Sequence, residues 1–355
     1  MRILLASILF LIACLSSIQA ELPTDEGPES RKQFSKSVLQ LVKDKQFKVI
    51  EEMHDHLLKN NVRFKEGLWK LAAFYDGLAL PYGNISDDEW ESWIHLLNEW
   101  NQEYPDSALY EIAKAGSYIN YAWNARGTGW GSTVTDEGKV LYRNRIEKAR
   151  EILKQSQERQ DSSAGLIPIF KSLSKKIPLM PNKISQTQMA PGWYAGMFTV
   201  ALAQSWDSNE AEDLFRTATK FYPEYYGFYF SRANYLLPRW HGKKGELQDF
   251  IKTVSKNNGK ELYARMYWSV DRKADDQNVF THFGAEWNLF KEGFEEIERK
   301  YPDSIWNLSN YCRFACQADD KETAKVLFKR LNGLYWAEAW PSRASYDTYL
   351  KWANE

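Results

Sequence analysis

Ala211-Glu212-Asp213-Leu214-Phe215-Arg216-Thr217-Ala218-Thr219-Lys220-Phe221-Tyr222-Pro223 is the stretch that decides the fold. Ala211, Phe215 and Ala218 are spaced 4 and 3 apart, which places them on one stripe of a helix, and Pro223 follows 5 residues later. Proline lacks the N–H that a continuing helix needs and disfavours helical backbone in the residue before it, so the helix stops at Tyr222. The same spacing returns in Trp93, Leu97, Trp100 and Pro105, and again in Phe290, Phe294, Ile297 and Pro302. Tyr104 and Tyr301 precede those prolines, and Asp106-Ser107 and Asp303-Ser304 follow them with good N-cap chemistry for a new helix. Helix, Tyr-Pro punctuation, helix is written three times, which predicts an all-α chain of helical hairpins.

Working outward, Ile305 to Gln317 and Lys321 to Leu331 read as a hairpin turning at Ala318-Asp319-Asp320. Phe34 to Lys43 and Phe47 to Leu58 form another at the front, with Ile50, Met53, His54 and Leu57 on one face. Glu137 to Gln157, Trp193 to Trp206 and Tyr225 to Leu237 carry few helix breakers, and no segment alternates with the period of a strand. Prolines and serines gather in residues 161–191, which we read as the join between a helical half at 31–160 and another at 192–355. Leu334 to Glu355 is expected to cap the array.

The spacing of Ala211, Phe215, Ala218 and Pro223 resembles the second helix of tetratricopeptide (TPR) repeats. The three prolines lie 118 and 79 residues apart. Neither is a multiple of the TPR period of about 34, so the expected architecture is an irregular TPR-like superhelix. The chain also resembles the family called domain of unknown function 4034, bacterial proteins of TPR-like character. That resemblance rests on Phe74-Tyr75-Asp76-Gly77-Leu78, on Ala125 to Trp130 with Thr133-Val134-Thr135, on Trp193-Tyr194, and on Tyr226 to Phe230 running to Leu237-Pro238-Arg239-Trp240-His241-Gly242. It implies a helical-repeat fold over most of residues 30–335 and no assigned activity.

Met1-Arg2, the 13-residue apolar run Ile3 to Leu15 and the small residue Ala20 have the anatomy of a secretory signal peptide, residues 1–20. The run is too short to span a bilayer stably, so the mature chain is expected to lack an integral membrane segment. Leu11-Ile12-Ala13-Cys14 supplies an alternative, a lipobox that would make Cys14 a lipid-carrying N-terminus. The expected location is therefore periplasmic or extracellular, with an outer-envelope lipoprotein as the alternative, and residues 21–30 are expected to be a disordered linker. Removing residues 1–20 leaves 45 basic and 47 acidic side chains, which makes no electrostatic case for nucleic acid or anionic lipid. It also leaves Cys312 and Cys316, i and i+4 on one helix face, expected as buried small hydrophobes.

With 15 Trp, 20 Tyr and 18 Phe, aromatic rings must fill much of the interior or line a binding surface. Two irregular loops pair arginine with tryptophan, a combination frequent in binding hot spots. Arg126 and Trp130 flank a glycine-rich loop that is neither a P-loop nor a dinucleotide fingerprint. Arg239, Trp240 and His241 form the second. The opposing reading is that Trp240 packs back on its own helices. Asp76 is the one acid in an aromatic setting, with a plain C-terminal turn residue as its bland reading. Asn84-Ile85-Ser86 and Asn307-Leu308-Ser309 fit the glycosylation sequon.

No HExxH is present, neither mature cysteine has a histidine nearby and no GxSxG elbow occurs, so no metal, cofactor or catalytic residue is assigned. The expected function is an exported scaffold that binds a protein or peptide partner without catalysis. The alternative is a secreted carbohydrate-active enzyme of the α/α toroid class, which would stack sugars on tryptophans and use paired carboxylates about 5 to 9.5 Å apart.

Overall fold

The computed structural model describes residues 25–83, 85–127, 129, 133–163, 187–272 and 278–355. The expected signal peptide with Cys14, residue Trp130, sequon residue Asn84 and most of the expected join lie outside the described residues. Among the described residues there are sixteen α-helices and no β-strand. In chain order they are α1 (Gly27–Lys43), α2 (Phe47–Lys59), α3 (Lys70–Gly77), α4 (Asp87–Glu103), α5 (Ala108–Arg126) and α6 (Asp136–Ser163). Then come α7 (Pro191–Ala203), α8 (Ser208–Phe221), α9 (Gly227–Tyr235), α10 (Glu246–Asn258) and α11 (Lys260–Asp271). The last five are α12 (Val279–His282), α13 (Trp287–Lys300), α14 (Ile305–Gln317), α15 (Lys321–Leu331) and α16 (Arg343–Asn354). None is long and apolar enough to cross a membrane.

The 4-3-5 repeat has one geometry in all its copies. Helices α4, α8 and α13 end on Tyr104, Tyr222 and Tyr301 with φ of −129°, −134° and −134° and ψ of 71°, 69° and 62°. Each tyrosine N–H donates to the carbonyl four residues back, of Trp100, Ala218 and Ile297, at 2.8, 2.9 and 2.8 Å. Each tyrosine carbonyl then accepts the N–H three residues on, of Ser107, Tyr225 and Ser304, which closes a turn with proline second, where its fixed φ fits. Ser107 and Ser304 cap the following helices, as their sequence position predicts. In the middle copy Tyr225 takes the serine's place, and α9 starts without a side-chain cap.

Helices close in sequence pack together, among them α1 with α2, α5 with α6, α7 with α8, α10 with α11 and α14 with α15. Alternate helices α3, α5, α7, α9 and α11 also touch one after the next. The buried apolar side chains form one continuous cluster from Val38 to Ala353, so the two halves share a core. Tryptophans are built into it: none of the described ones is exposed. Cys312 and Cys316 are free and buried, and burial pushes the Cys312 thiol up.

Residues 25–30 differ from the expected linker. Helix α1 begins at Gly27, and Glu26 is buried against the far end of the chain. Its carboxylate accepts the Ser304 hydroxyl at 2.5 Å and the N–H groups of Ile305 and Trp306 at 3.3 and 3.2 Å. The sequence around Glu26 is polar and reads as unstructured because the groups that satisfy it lie 278 residues away.

Residues 62–69 likewise cross to distant helices. Their backbone folds into a tight loop with Phe64 N–H on the Leu68 carbonyl and Lys70 N–H on the Val62 carbonyl. Arg63 pairs with Glu224 at 2.6 Å, and the Glu66 carbonyl accepts Arg265 Nη2 at 2.7 Å and Asn307 Nδ2 at 3.2 Å. Gly67 has φ +98°, and a Cβ there would lie 2.3 Å from the Tyr301 ring, so glycine is required on both counts. Buried Phe64 and Trp69 add about 2 kcal/mol each of apolar burial, which makes the loop a permanent part of the core.

Candidate functional site

A cleft of about 560 Å³ opens where α1, α3 and the start of α9 meet. Each helix presents one face to it, spaced as the helical repeat dictates. From α1 come Arg31, Lys32, Ser35, Lys36 and Leu39, an i, i+3 and i+4 series; from α3 come Ala72, Ala73, Asp76 and Gly77. Trp69, Tyr225, Tyr226 and Phe230 complete the wall.

The helices are held at close range. Ser35 Oγ donates to the Ala73 carbonyl at 2.7 Å, and a Cβ on Gly77 would lie 2.5 Å from the Ser35 carbonyl oxygen. The short distance is possible only because Gly77 has no side chain. The tryptophan wall is fixed as well: the Trp69 ring meets Tyr225 edge-on at 5.7 Å and carries the Arg63 guanidinium on its face at 5.3 Å.

Asp76 is exposed to the cleft yet has protein on most sides. That enclosure disfavours the carboxylate and raises its pKa to about 6, although the nearby Arg31 guanidinium pulls it back down. Arg31 itself is ion-paired with Glu66, which is completely buried. Burial raises the Glu66 carboxyl too, against the opposing pull of Arg31, and its Oε2 has no hydrogen-bond partner. Lys32 and Lys36 are exposed and carry no ion pair among the described residues. The cleft therefore combines an apolar, aromatic wall, a cationic edge on α1 and a carboxyl that changes charge near neutral pH.

Behind α3 lies a second polar set. His54 Nε2 shares a hydrogen bond with the Tyr75 hydroxyl at 2.9 Å, and Nδ1 faces Asp55 at 3.4 Å. His54 is buried, and desolvation lowers its pKa. On the face it shares with Ile50 and Leu57, His54 is a buried, hydrogen-bonded core histidine.

The residues singled out from the loops behave differently from the cleft. Arg126 folds back over the Trp123 ring at 5.0 Å and donates to the Gly127 and Gly129 carbonyls at 3.2 Å each. His241 Nε2 lies 3.2 Å from the Leu202 carbonyl, with its ring on Tyr235 at 4.6 Å. Trp240 is half-buried against the core with its Nε1 unpartnered, and Arg239 is exposed. Arg126 thus turns back on its own helix and loop, and His241 and Trp240 pack on neighbouring helices, the packing reading of Trp240. Asn307, the second sequon residue, is completely buried and bonded to the Glu66 carbonyl.

Of the cleft residues, only Asp76 stood out in the sequence. The cationic stripe at 31, 32 and 36 was readable as a helical face that lacks the apolar groups a packed helix shows, and this was the signal available. The stretches Phe74 to Leu78 and Tyr226 to Phe230 converge at this cleft. No group of three or more metal-ligating side chains lies together among the described residues. No protein-family profile, curated protein or solved structure matches the chain.

Proposed function

We propose that this chain is an exported helical-repeat scaffold, an irregular TPR-like superhelix of the kind its resemblance to the uncharacterised family implies, which binds a segment of a protein or peptide partner. The observation that carries this reading is the cleft between α1, α3 and α9. There, helix faces that would ordinarily be packed present an accessible Asp76 and Lys32 and Lys36, unpaired among the described residues, around an apolar wall. Its volume of about 560 Å³ is in the ordinary range of ligand pockets. The neighbouring surface of α11 and α14 is a weaker candidate, because the chain's own residues 62–69 and Glu26 are bonded to it.

The enzyme reading draws support from Asp76, since an accessible carboxyl raised to about 6 suits a general acid. Weighing against it, Asp76 is the only acid among the described residues that line the cleft. Glu66, which pairs with Arg31, is fully buried and cannot reach a glycosidic bond.

A photoactivatable residue at position 36 or 230, compared with one at exposed Val326 on α15, tests the scaffold reading in the cells that make the protein. Discrete crosslinked partners are expected from the cleft positions and not from 326. Equal or absent crosslinking at all three would overturn it.

A further inference from the structure

We infer that the cleft between α1, α3 and α9 is a site for an acidic peptide segment carrying an apolar side chain, whose carboxylates meet Arg31, Lys32 and Lys36 while the apolar group lies against Trp69 and Phe230. The inference rests on the scaffold reading and names the ligand chemistry.

Charge complementarity argues for it. Three cations lie on one face of α1, at i, i+1 and i+5, and all three line the cleft. Arg31 is held in place by buried Glu66, so its guanidinium is a fixed donor with N–H groups to spare. Among the described residues Lys32 and Lys36 form no ion pair with a carboxylate, which leaves their charge available to a partner. A basic ligand would face like charges at close range, and such juxtapositions strongly disfavour wrong partners. The remaining wall is mostly apolar, formed by Leu39, Trp69, Ala72 and Phe230, and it excludes a purely hydrophilic acid as the best fit.

Asp76 then acquires a role. As a carboxylate it would repel an acidic ligand; once protonated it becomes a hydrogen-bond donor to the ligand's carboxylate. The charged and titratable groups that line the cleft with it are Arg31, Lys32 and Lys36 from α1 and Tyr225 and Tyr226 ahead of α9, and Arg31 pairs with Glu66. Burial keeps the Tyr225 and Tyr226 hydroxyls protonated between pH 5 and 7.5, and the Glu66 side chain, paired with Arg31, has no solvent exposure. Binding should therefore tighten as pH falls across that range.

The test uses the chain from residue 21 to 355 and dye-labelled peptides in which phenylalanine is flanked by aspartates, by lysines, or replaced by glycine among aspartates. Fluorescence anisotropy is expected to show the aspartate-phenylalanine peptide bound, the glycine version weaker and the lysine version unbound. The double variant Lys32→Glu/Lys36→Glu should bind about tenfold more weakly or worse, because like charges then face each other. Asp76→Asn should abolish the tightening between pH 7.5 and 5. If the lysine peptide binds as well or better, or the double charge reversal leaves affinity unchanged, the ligand class is wrong, and the crosslinks from positions 36 and 230 decide separately whether the cleft binds a partner at all. Absence of binding by every peptide also overturns the inference. Retained helical circular dichroism and an unchanged melting temperature in the surface variants separate lost binding from lost fold.

Discussion

The carboxylate of Glu26 accepts the Ser304 hydroxyl at 2.5 Å, joining the residue before the first helix to the turn that starts α14. The same carboxylate takes two N–H groups at that helix's N-terminus, where a negative charge is favoured and the N–H groups lack intrahelical partners. Glu51 makes a related contact with Ser107, the serine of the first Tyr-Pro-Asp-Ser turn, and also accepts Trp100 Nε1 at 2.9 Å. Glu26→Ala should lower stability by about 2 kcal/mol, since it strands buried donors, and Glu26→Gln by less. Urea melts of the two variants and the parent protein check this; equal midpoints would show that the contact contributes nothing.

Two glycine-to-alanine changes should move stability in opposite directions. Gly77→Ala forces a Cβ to 2.5 Å from the Ser35 carbonyl and 2.7 Å from Val38 Cβ, a backbone clash that should cost about 1–3 kcal/mol. Gly116→Ala, inside α5, meets only Ala79 at 3.7 Å and should stabilise by about 0.5–1 kcal/mol through helix propensity. Thermal denaturation of each variant is the measurement.

The Arg31–Glu66 pair is asymmetric in exposure, with Glu66 fully sealed. Removing only the arginine leaves a buried carboxylate uncompensated, so Arg31→Ala should destabilise by about 3–5 kcal/mol at neutral pH. Replacing both residues with apolar ones, Arg31→Met with Glu66→Leu, should recover much of that loss. Because burial already raises the Glu66 carboxyl, acidification should shrink the penalty of Arg31→Ala by neutralising the stranded group.

His54 and Asp76 give opposite pH signatures. The His54 pKa is lowered by burial, so the unfolded chain binds its proton first as pH falls. Its contribution is complete above about pH 6.5, the value of a free histidine, and is lost as pH falls through the folded pKa. Asp76 is raised to about 6, so its contribution is present below the free-carboxyl range and is lost as pH rises through 6. Between pH 7 and 5 the stability of His54→Gln should fall less than that of the parent, and Asp76→Asn should lose the opposing rise. Melting temperatures across that range, read as differences between variants, isolate the two groups.

Thiol reagents should reach neither Cys312 nor Cys316 in the native protein, because both are buried within α14. Both should react once the chain is unfolded in urea. Rapid labelling of the native protein would show that α14 opens locally.

Much of the helical framework was legible in the residues. Ile305 to Gln317 and Lys321 to Leu331 form helices with those limits, and Ala318 and Asp320 cap them. Helix α1 starts earlier than its apolar pattern, at Gly27, because Pro28 and the distant Ser304 turn hold its first residues. Helix α6 outlasts its stripe of Tyr142, Ile146, Ala149 and Leu153 and runs to Ser163, with Arg159 donating to the Pro105 carbonyl. The Arg-Trp loops drew attention through composition, whereas the cleft residues are individually ordinary lysines, alanines and tyrosines. Only their shared location distinguishes them.

The sequence by itself determined where helices run and where they stop, because a 3.6-residue apolar stripe, a proline without an N–H and a serine cap act within a few residues of one another. The three Tyr-Pro turns therefore take one backbone geometry despite unlike neighbours, tryptophan in one helix, alanine in another and phenylalanine in the third. Only the tertiary structure decided that Glu26 meets Ser304, that residues 62–69 bond to Glu224, to Arg265 of α11 and to Asn307 of α14, and that positions 31–36, 76 and 225–230 enclose one cleft. Those pairings depend on which surfaces remain unsatisfied after the hairpins have packed, and buried donors, a sealed carboxylate and a glycine that admits a ring find their partners at separations no local periodicity encodes.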